Sequence, residues 1–143
     1  GDVRRNYIGL CNFLSPVADL YPNFYTWLYS KYMHNIEPSK RLILFAYDEN
    51  DAIIGTSLLK INKEEKKICT FFISPKHQER GIGNILMNKA FSHFNDNDSV
   101  LITCSETRKT GLEPILRKSG FVYTHSVTDL YKKNTREFFY LRK

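Results

Sequence analysis

The sequence predicts one α/β domain built on a mixed sheet, and three observations carry that prediction. Apolar runs of strand length fill the middle of the chain and are separated by charged turns. One such run, Ile68 to Ile73, leads through a glycine-bearing turn into a helical pattern and then into another strand-like run, Val100 to Ser105. A strand, a helix and a strand in that order favour a parallel pair, because the connection is long enough to cross the sheet. Two more strand-like runs close the chain after a helix that ends at Gly120.

The elements follow in order. Residues before Ser15 take the place of a short first strand. Residues 15–35 are mostly helical: Ser15 before Pro16 reads as an N-cap followed by proline at the first helical position. Pro22 breaks and restarts that helix, after which Phe24, Trp27, Leu28, Lys31 and Tyr32 follow at helical spacing. Tyr21, Phe24, Tyr25, Trp27, Tyr29 and Tyr32 are too many aromatics for one packed face, so some are expected to line a cleft or an interface. Residues 41–61 form two strands about the turn Asp48-Glu49-Asn50-Asp51, and residues 62–67 make a second charged turn. Ile68–Ile73 completes an antiparallel meander of three strands. Residues 83–95 place Ile85, Leu86, Ala90 and Phe94 on one helical side, and Val100–Ser105 is the fourth strand of the sheet. A short helix spans Leu112–Lys118, and residues 121–127 and 137–143 are the last strands.

Bulk composition narrows the class. At 143 residues and 42% hydrophobic content, residues 1–143 make a single domain able to bury its own core. No apolar run approaches the roughly 20 residues of a membrane span, so no membrane partner is expected. The first ten residues lack the apolar stretch of a secretory signal. Cys11, Cys69 and Cys104 have no CxxC or metal-type spacing; Cys69 and Cys104 sit in apolar runs and read as buried thiols in preference to redox or metal groups. A reducing, cytoplasmic setting and no metal are expected. The net charge is +6, and from Thr107 onward nine basic residues face three acidic ones. That asymmetry suits either an anionic ligand or partner, or a solvated basic face.

The stretch "SPKHQERGIGNILM" (74–87) carries the chemistry. Unpaired N–H groups and the helix dipole make the start of a helix attractive to an anion. Gly81 and Gly83 remove the Cβ atoms that would keep the backbone from a bulky phosphate, and Lys76 and Arg80 either reach that phosphate or are solvated in the turn. The ligand is therefore expected to bear phosphate. GxGxxG is absent, since Leu86 stands at its third glycine, and so is the P-loop pattern.

Gln78-Glu79-Arg80-Gly81-Ile82-Gly83 after "FFISP" resembles the Q/R-x-x-G-x-G/A signature of the GNAT family of N-acetyltransferases. The preceding hairpin, the strand after the intervening helix and "ILRKSGF" (115–121) extend the resemblance from about Arg41 to Phe121. It implies a mostly antiparallel central sheet with helices on both faces and a splayed parallel pair of strands. It also implies acetyl-CoA as co-substrate, held by Phe71, Phe72, Ile73, Gln78, Glu79, Arg80, Gly81, Ile82, Gly83 and Asn84. The amides from Glu79 to Asn84 would take the pyrophosphate, the strand edge would take the pantetheine arm, and an N–H of Phe72 or Ile73 would face the thioester carbonyl. A primary amine would attack directly in a ternary complex, assisted by a base and usefully by an acid.

The chain departs from the family where many members carry a tyrosine acid four residues before the Gly-Phe pair: here that position is Leu116. The asparagine often seen seven residues earlier is Lys109. Substitutes are Glu106 and Ser105, at the C-terminal end of the fourth strand, and the hydroxyls of Tyr123 or Tyr131. Each has a structural alternative, Glu106 as the acidic first turn of the next helix. The acceptor is an amine-bearing small molecule, protein or aminoacyl-tRNA; the basic end of the chain favours an anionic acceptor or carrier, such as an RNA, an aminoacyl-tRNA or a small acidic metabolite. The competing function is a catalytically weak GNAT-fold module that senses CoA or binds protein or RNA through Arg117, Lys118, Lys132, Lys133 and Tyr131. A monomer or a homodimer is expected.

Overall fold

The computed structural model describes residues 2–34, 39–78 and 80–143, with side chains from residue 6 onward. The strands are β1 (Lys40–Tyr47), β2 (Ile53–Ile61), β3 (Lys66–Ile73), β4 (Val100–Ser105), β5 (Val122–Thr128) and β6 (Arg136–Arg142). They form one sheet in the order β1-β2-β3-β4-β6-β5. All neighbours run antiparallel except β3 and β4. The α-helices are α1 (Asp2–Phe13), α2 (Ser15–Ala18), α3 (Phe24–Leu28), α4 (Ile82–Phe91) and α5 (Glu106–Lys118); a π-helical turn, Tyr29–Met33, continues α3, and a 3-10 turn, Pro75–His77, follows β3.

The expected splay is present. The parallel ladder joins Lys67 to Leu101 and Ile68 to Ile102 and goes no further, although β3 continues to Ile73 and β4 to Ser105. Its cause lies in β3. Thr70 faces Leu58 and Ile68 faces Leu59, which leaves Cys69 as an extra residue on β3. Such a bulge bends its strand and sharpens the twist, and this one stands where the ladder to β4 stops. The two free edges then enclose a wedge-shaped slot.

Alternation along the strands gives the sheet two apolar faces. Leu42, Leu59, Ile68, Phe71, Ile73, Ile102 and Cys104 pack with Leu86, Met87 and Ala90 of α4 and Leu112 and Leu116 of α5. Ile43, Phe45, Leu58 and Phe72 pack on the opposite side with Leu10, Leu14, Val17, Phe24 and Leu28 of the N-terminal segment. Helices thus cover both faces.

Four local expectations are corrected. The N-terminal segment is helix α1 and not a strand, because Tyr7, Leu10, Cys11 and Leu14 form a helical stripe that buries against the sheet. Ser15 lies inside α2, with Leu14 at the N-cap position and no side-chain cap bond. Ile85 is 71% exposed, and Met87 takes its place in the core. Helix α5 begins at Glu106, where the Ser105 Oγ accepts the Thr107 N–H at 3.3 Å, and it runs through Gly111 and Pro114.

Glu113 ties α5 to the sheet. Its carboxylate takes Lys109 at 2.7 Å and Arg117 at 3.2 Å, and accepts from the Tyr140 hydroxyl at 2.6 Å. Lys109 and Tyr140 hold its pKa at about 2, below the ordinary 4.5. A carboxyl with a depressed folded-state pKa contributes stability that is present above its unfolded pKa and lost as pH falls through its folded one. The melting temperature of Glu113→Gln is therefore expected to lie below wild type at pH 7. The gap should close between pH 4.5 and about 2 in a pH series of thermal melts. A gap independent of pH would refute the ionic origin.

Candidate functional site

The turn before α4 is built as an anion site. Gly81 is the N-cap at φ +81°, a left-handed conformation that favours glycine, and a Cβ there would meet nothing within 4 Å. The N–H groups of Ile82, Gly83 and Asn84 start the helix and have no carbonyl partner within it. Gly83 answers to a different constraint: a Cβ would stand 2.8 Å from the Ile115 Cδ1, so this glycine lets α4 approach α5.

These groups open on a cavity of about 610 Å³ between β3, the turn and α5. Phe71, Phe72, Ile73, Gln78, Gly81, Gly83 and Asn84 of the expected donor-binding set line it. Gln78 also donates its Nε2 to the Ile73 carbonyl at 3.2 Å. Arg80 is exposed and Ile82 half-buried, and neither lines the cavity; Glu79 lies outside the described residues. The far wall is α5, through Thr107, Arg108, Thr110, Gly111, Pro114 and Lys118 among others. Lys118, not Lys76, is the lysine on this wall. Pro114 has no N–H to return to the Thr110 carbonyl, so the helix backbone is left partly open beside the cavity.

The slot edge of β3 is defined by its bonds. Arg108 donates through its guanidinium to the Phe71 carbonyl, and the same group stands 5.4 Å from the Phe72 ring centre. Within a strand the N–H and C=O of one residue point to the same side, and the next residue points to the other. Phe71 and Ile73 therefore face the slot. Phe72 faces β2, as does Ser74, whose N–H bonds the Ile54 carbonyl at 2.8 Å. Of the two N–H groups offered by the sequence, Ile73 is the one that projects into the slot.

A carboxylate not anticipated from the sequence lies on β6, across β4 from this slot, and reaches the second cavity only through its hydrogen-bond partners, lining neither cavity itself. Glu137 on β6 is 4% exposed. It accepts from the Thr103 hydroxyl at 2.8 Å and from the Tyr21 hydroxyl at 3.0 and 3.3 Å. Burial raises its pKa above the ordinary carboxylate value; the bonds from Thr103 and Tyr21 and the charges of Lys67 and Arg108 oppose that rise. Burial likewise raises the Tyr21 hydroxyl, aided by Glu137, and lifts the Cys104 thiol to about 11. Burial lowers the Arg108 pKa.

Tyr21 and Thr103 also line a second cavity, of about 400 Å³. Consecutive residues of β3 serve the two cavities: Cys69 and Thr70 line this one, and Phe71 to Ile73 line the first. Phe24, Trp27 and Tyr131 add aromatic walls, and Lys31, Arg41, Lys60, Lys67 and Glu65 supply the charges. Part of the aromatic cluster at 21–32 thus lines a cleft. Cys69, expected buried, is half-buried at its bulge on the cavity wall.

Ser105, Glu106 and Tyr123 line neither cavity. Ser105 is 1% exposed and caps α5, the exposed Glu106 accepts the Arg136 N–H at 2.8 Å, and Tyr123 packs on Phe138 and Tyr140. Leu116 is fully buried in the core. Among the described residues no group of His, Cys, Asp or Glu is placed to hold a metal ion, and no helix is long and apolar enough to cross a membrane.

A family model described as an acetyltransferase (GNAT) domain matches residues 18–136. Solved structures share the fold at low identity. A chimera of the spermidine N-acetyltransferase SpeG from Vibrio cholerae and hSSAT superposes with a TM-score of 0.69 at 17% identity, covering 97% of this chain and 91% of its own. A streptothricin acetyltransferase candidate from Bacillus anthracis, in complex with acetyl coenzyme A, gives 0.62 at 18% identity over 80% of this chain and 69% of its own. A GNAT-family structure from Desulfovibrio desulfuricans gives 0.59 at 13% identity over 71% and 68%. No curated protein sequence matches the chain.

Proposed function

The chain belongs to the GNAT acetyltransferase family, whose donor is acetyl-CoA, and from that premise we propose that it transfers an acetyl group to a primary amine by direct attack, with Glu137 as the proton acceptor. The observation that carries this is the buried Glu137 carboxylate, bonded to two hydroxyls that line the second cavity, beside the slot that opens into the first. The donor's phosphates fit the α4 turn, where the Gly81 Cβ position is open space and three amides point outward. Its pantetheine arm fits the free edge of β3, and Lys118 adds positive charge on the α5 wall. When bound, acetyl-CoA supplies the activated acetyl thioester.

The chain's own residues do the rest. An ammonium in the second cavity gives a proton to the Tyr21 or Thr103 oxygen while that hydroxyl passes its own proton to Glu137. The amine lone pair is then free to attack. The Ile73 N–H faces the slot and donates to a carbonyl oxygen as its negative charge develops. Arg108 keeps positive charge in the slot, where a departing thiolate needs it and where Leu116 offers no acid. Two structural neighbours are named for small-molecule acceptors, spermidine and streptothricin, which supports a small molecule as acceptor here. Thiol release from acetyl-CoA over an amine panel, with the acetylated amine identified by mass, tests this. Binding of acetyl-CoA without amine-dependent thiol release would sink it.

Arg108 also tunes the base. Its charge lowers the Glu137 pKa, so Arg108→Gln should let that pKa rise. A base must be ionised to work, so the acid limb of the kcat/KM profile should move to higher pH in the variant. A limb that stays in place would separate Arg108 from Glu137.

A further inference from the structure

Resting on the acetyltransferase reading, we propose that the second cavity accepts arylalkylamines, monoamines that carry a flat ring on a short spacer. Tyr131 is the residue that selects the ring. The first observation is an aromatic wall drawn from the two ends of the chain. Phe24 and Trp27 stand three residues apart on α3, hence on one side of it, with their rings 5.5 Å apart. Tyr21 precedes them, and all three line the cavity. Tyr131 completes the wall from the turn between β5 and β6, meeting Tyr21 edge to face at 5.4 Å. That turn is fixed by its own backbone. Asp129 and Asn134 take left-handed φ values of +64° and +60°. The Asp129 N–H bonds the Thr135 carbonyl at 3.0 Å, and its carboxylate accepts the Asn134 N–H. Tyr131 is still 43% exposed, so much of its ring is open to a ligand.

The second observation is that the proton path and the aromatic wall share a side chain. Tyr21 supplies a wall ring and also the hydroxyl that donates to Glu137 at 3.0 Å. An amine brought to that hydroxyl has the rings of Tyr21 and Tyr131 beside it, so its apolar body must begin close to the nitrogen. A volume of about 400 Å³ holds a ring and its spacer. The charged lining is engaged with the protein itself. Lys60 holds Glu65 at 2.8 Å. Arg41 donates to the Cys69 Sγ at 3.8 Å and stands 5.5 Å from the Tyr32 ring centre. Lys67 acts by its charge on Glu65 and Glu137. Glu65 is the one carboxylate among the described lining residues, so a second ammonium on the acceptor finds no unengaged acid there. That favours a monoamine over a polyamine. Contact between rings then separates a flat body from a puckered one, by roughly two- to tenfold in affinity beyond the area buried.

The sole tryptophan of the chain, Trp27, lines the cavity, so its fluorescence reports occupancy without turnover. Three amines of equal carbon count serve as probes: 2-phenylethylamine, 2-cyclohexylethylamine and 1,8-diaminooctane. The expected order of affinity follows that sequence, with phenylethylamine ~5-fold tighter than its cyclohexyl analogue and weaker binding still by the diamine. The kcat/KM for thiol release should follow the same order. Tyr131→Ala should cut the phenyl-to-cyclohexyl ratio by about threefold. Tyr131→Phe, which keeps the ring on the same turn, should leave the ratio unchanged. Equal affinities, a preference for the cyclohexyl amine or the diamine, no fluorescence response to phenylethylamine at millimolar concentration, or a ratio untouched by Tyr131→Ala would each overturn the proposal. The two readings fail separately. Thiol release on the non-aromatic amines at equal or higher kcat/KM overturns the ring preference and leaves acetyl transfer standing. The expected fluorescence order without thiol release from any amine overturns the transfer and leaves the ring preference standing.

Discussion

Glu137→Gln is expected to lower kcat/KM by roughly 10²–10⁴-fold, the usual contribution of a positioned base, without lowering the melting temperature at neutral pH. Glutamine keeps the shape and an oxygen that accepts from Thr103 or Tyr21, but it cannot take a proton. The stability sign follows from the direction of the pKa shift. Burial raises the carboxyl's folded-state pKa above its unfolded value, so the unfolded chain ionises first as pH rises. From the unfolded pKa upward, the ionised carboxylate therefore weighs against the folded state. A neutral glutamine escapes that cost. Loss of activity with an equal or higher melting temperature is the signature of a group kept for chemistry. The acid limb of wild-type kcat/KM should also stand above the ordinary carboxylate range, and it should be missing from the residual activity of the variant. If the variant retains wild-type kcat/KM, Glu137 is a structural carboxylate, and the Tyr21–Thr103 pair has no proton sink beneath it.

The contrast between Glu137 and Gly81 explains what was legible in the chain. Gly81 and its turn are read locally: a strand, a glycine and a helix start within a dozen residues already state the anion site. The strands β1 to β4 are equally local, because alternation and charged turns mark each one. Glu137 has no such mark. It becomes a buried, doubly bonded carboxylate because β6 inserts between β4 and β5, bringing it to Thr103, 34 residues away, and to Tyr21, 116 residues away. The alignment of Arg41, Lys60 and Lys67 across β1, β2 and β3 arises in the same way, from strand register and not from sequence spacing. Helix α1 is a different case. The stripe Tyr7, Leu10, Cys11, Leu14 was present in the sequence, but an order of elements that begins with a strand leaves no place for it. The expected helix already ran through Pro114 but began only after Gly111, and that glycine, accommodated beside the first cavity, lies inside a helix that starts at Glu106.

Acetyl-CoA binding should depend on the charge placed at Gly81 more than on the loss of glycine itself, and Gly81→Asn beside Gly81→Asp separates the two. Any side chain here must adopt φ near +81°, which asparagine and aspartate tolerate best after glycine. Space is no obstacle, since a Cβ at this position meets nothing within 4 Å. The two residues are matched in size and in their tolerance of this conformation, so any cost to α4 is shared, and the negative one gains from the helix dipole. Folding is thus matched while the ligand's environment is not. The aspartate carboxylate competes for the amides of Ile82, Gly83 and Asn84 and repels a pyrophosphate brought to them. By calorimetry, Gly81→Asn should bind acetyl-CoA within about fivefold of wild type, ~1 kcal/mol. Gly81→Asp should bind it at least ~100-fold more weakly than Gly81→Asn, about 2.7 kcal/mol. CoA without its acetyl group should show the same ratio, because the discrimination lies in the phosphates and not in the thioester. Equal binding by the two variants would mean that the start of α4 does not carry the phosphates. Lys118 and the α5 wall would then have to hold them.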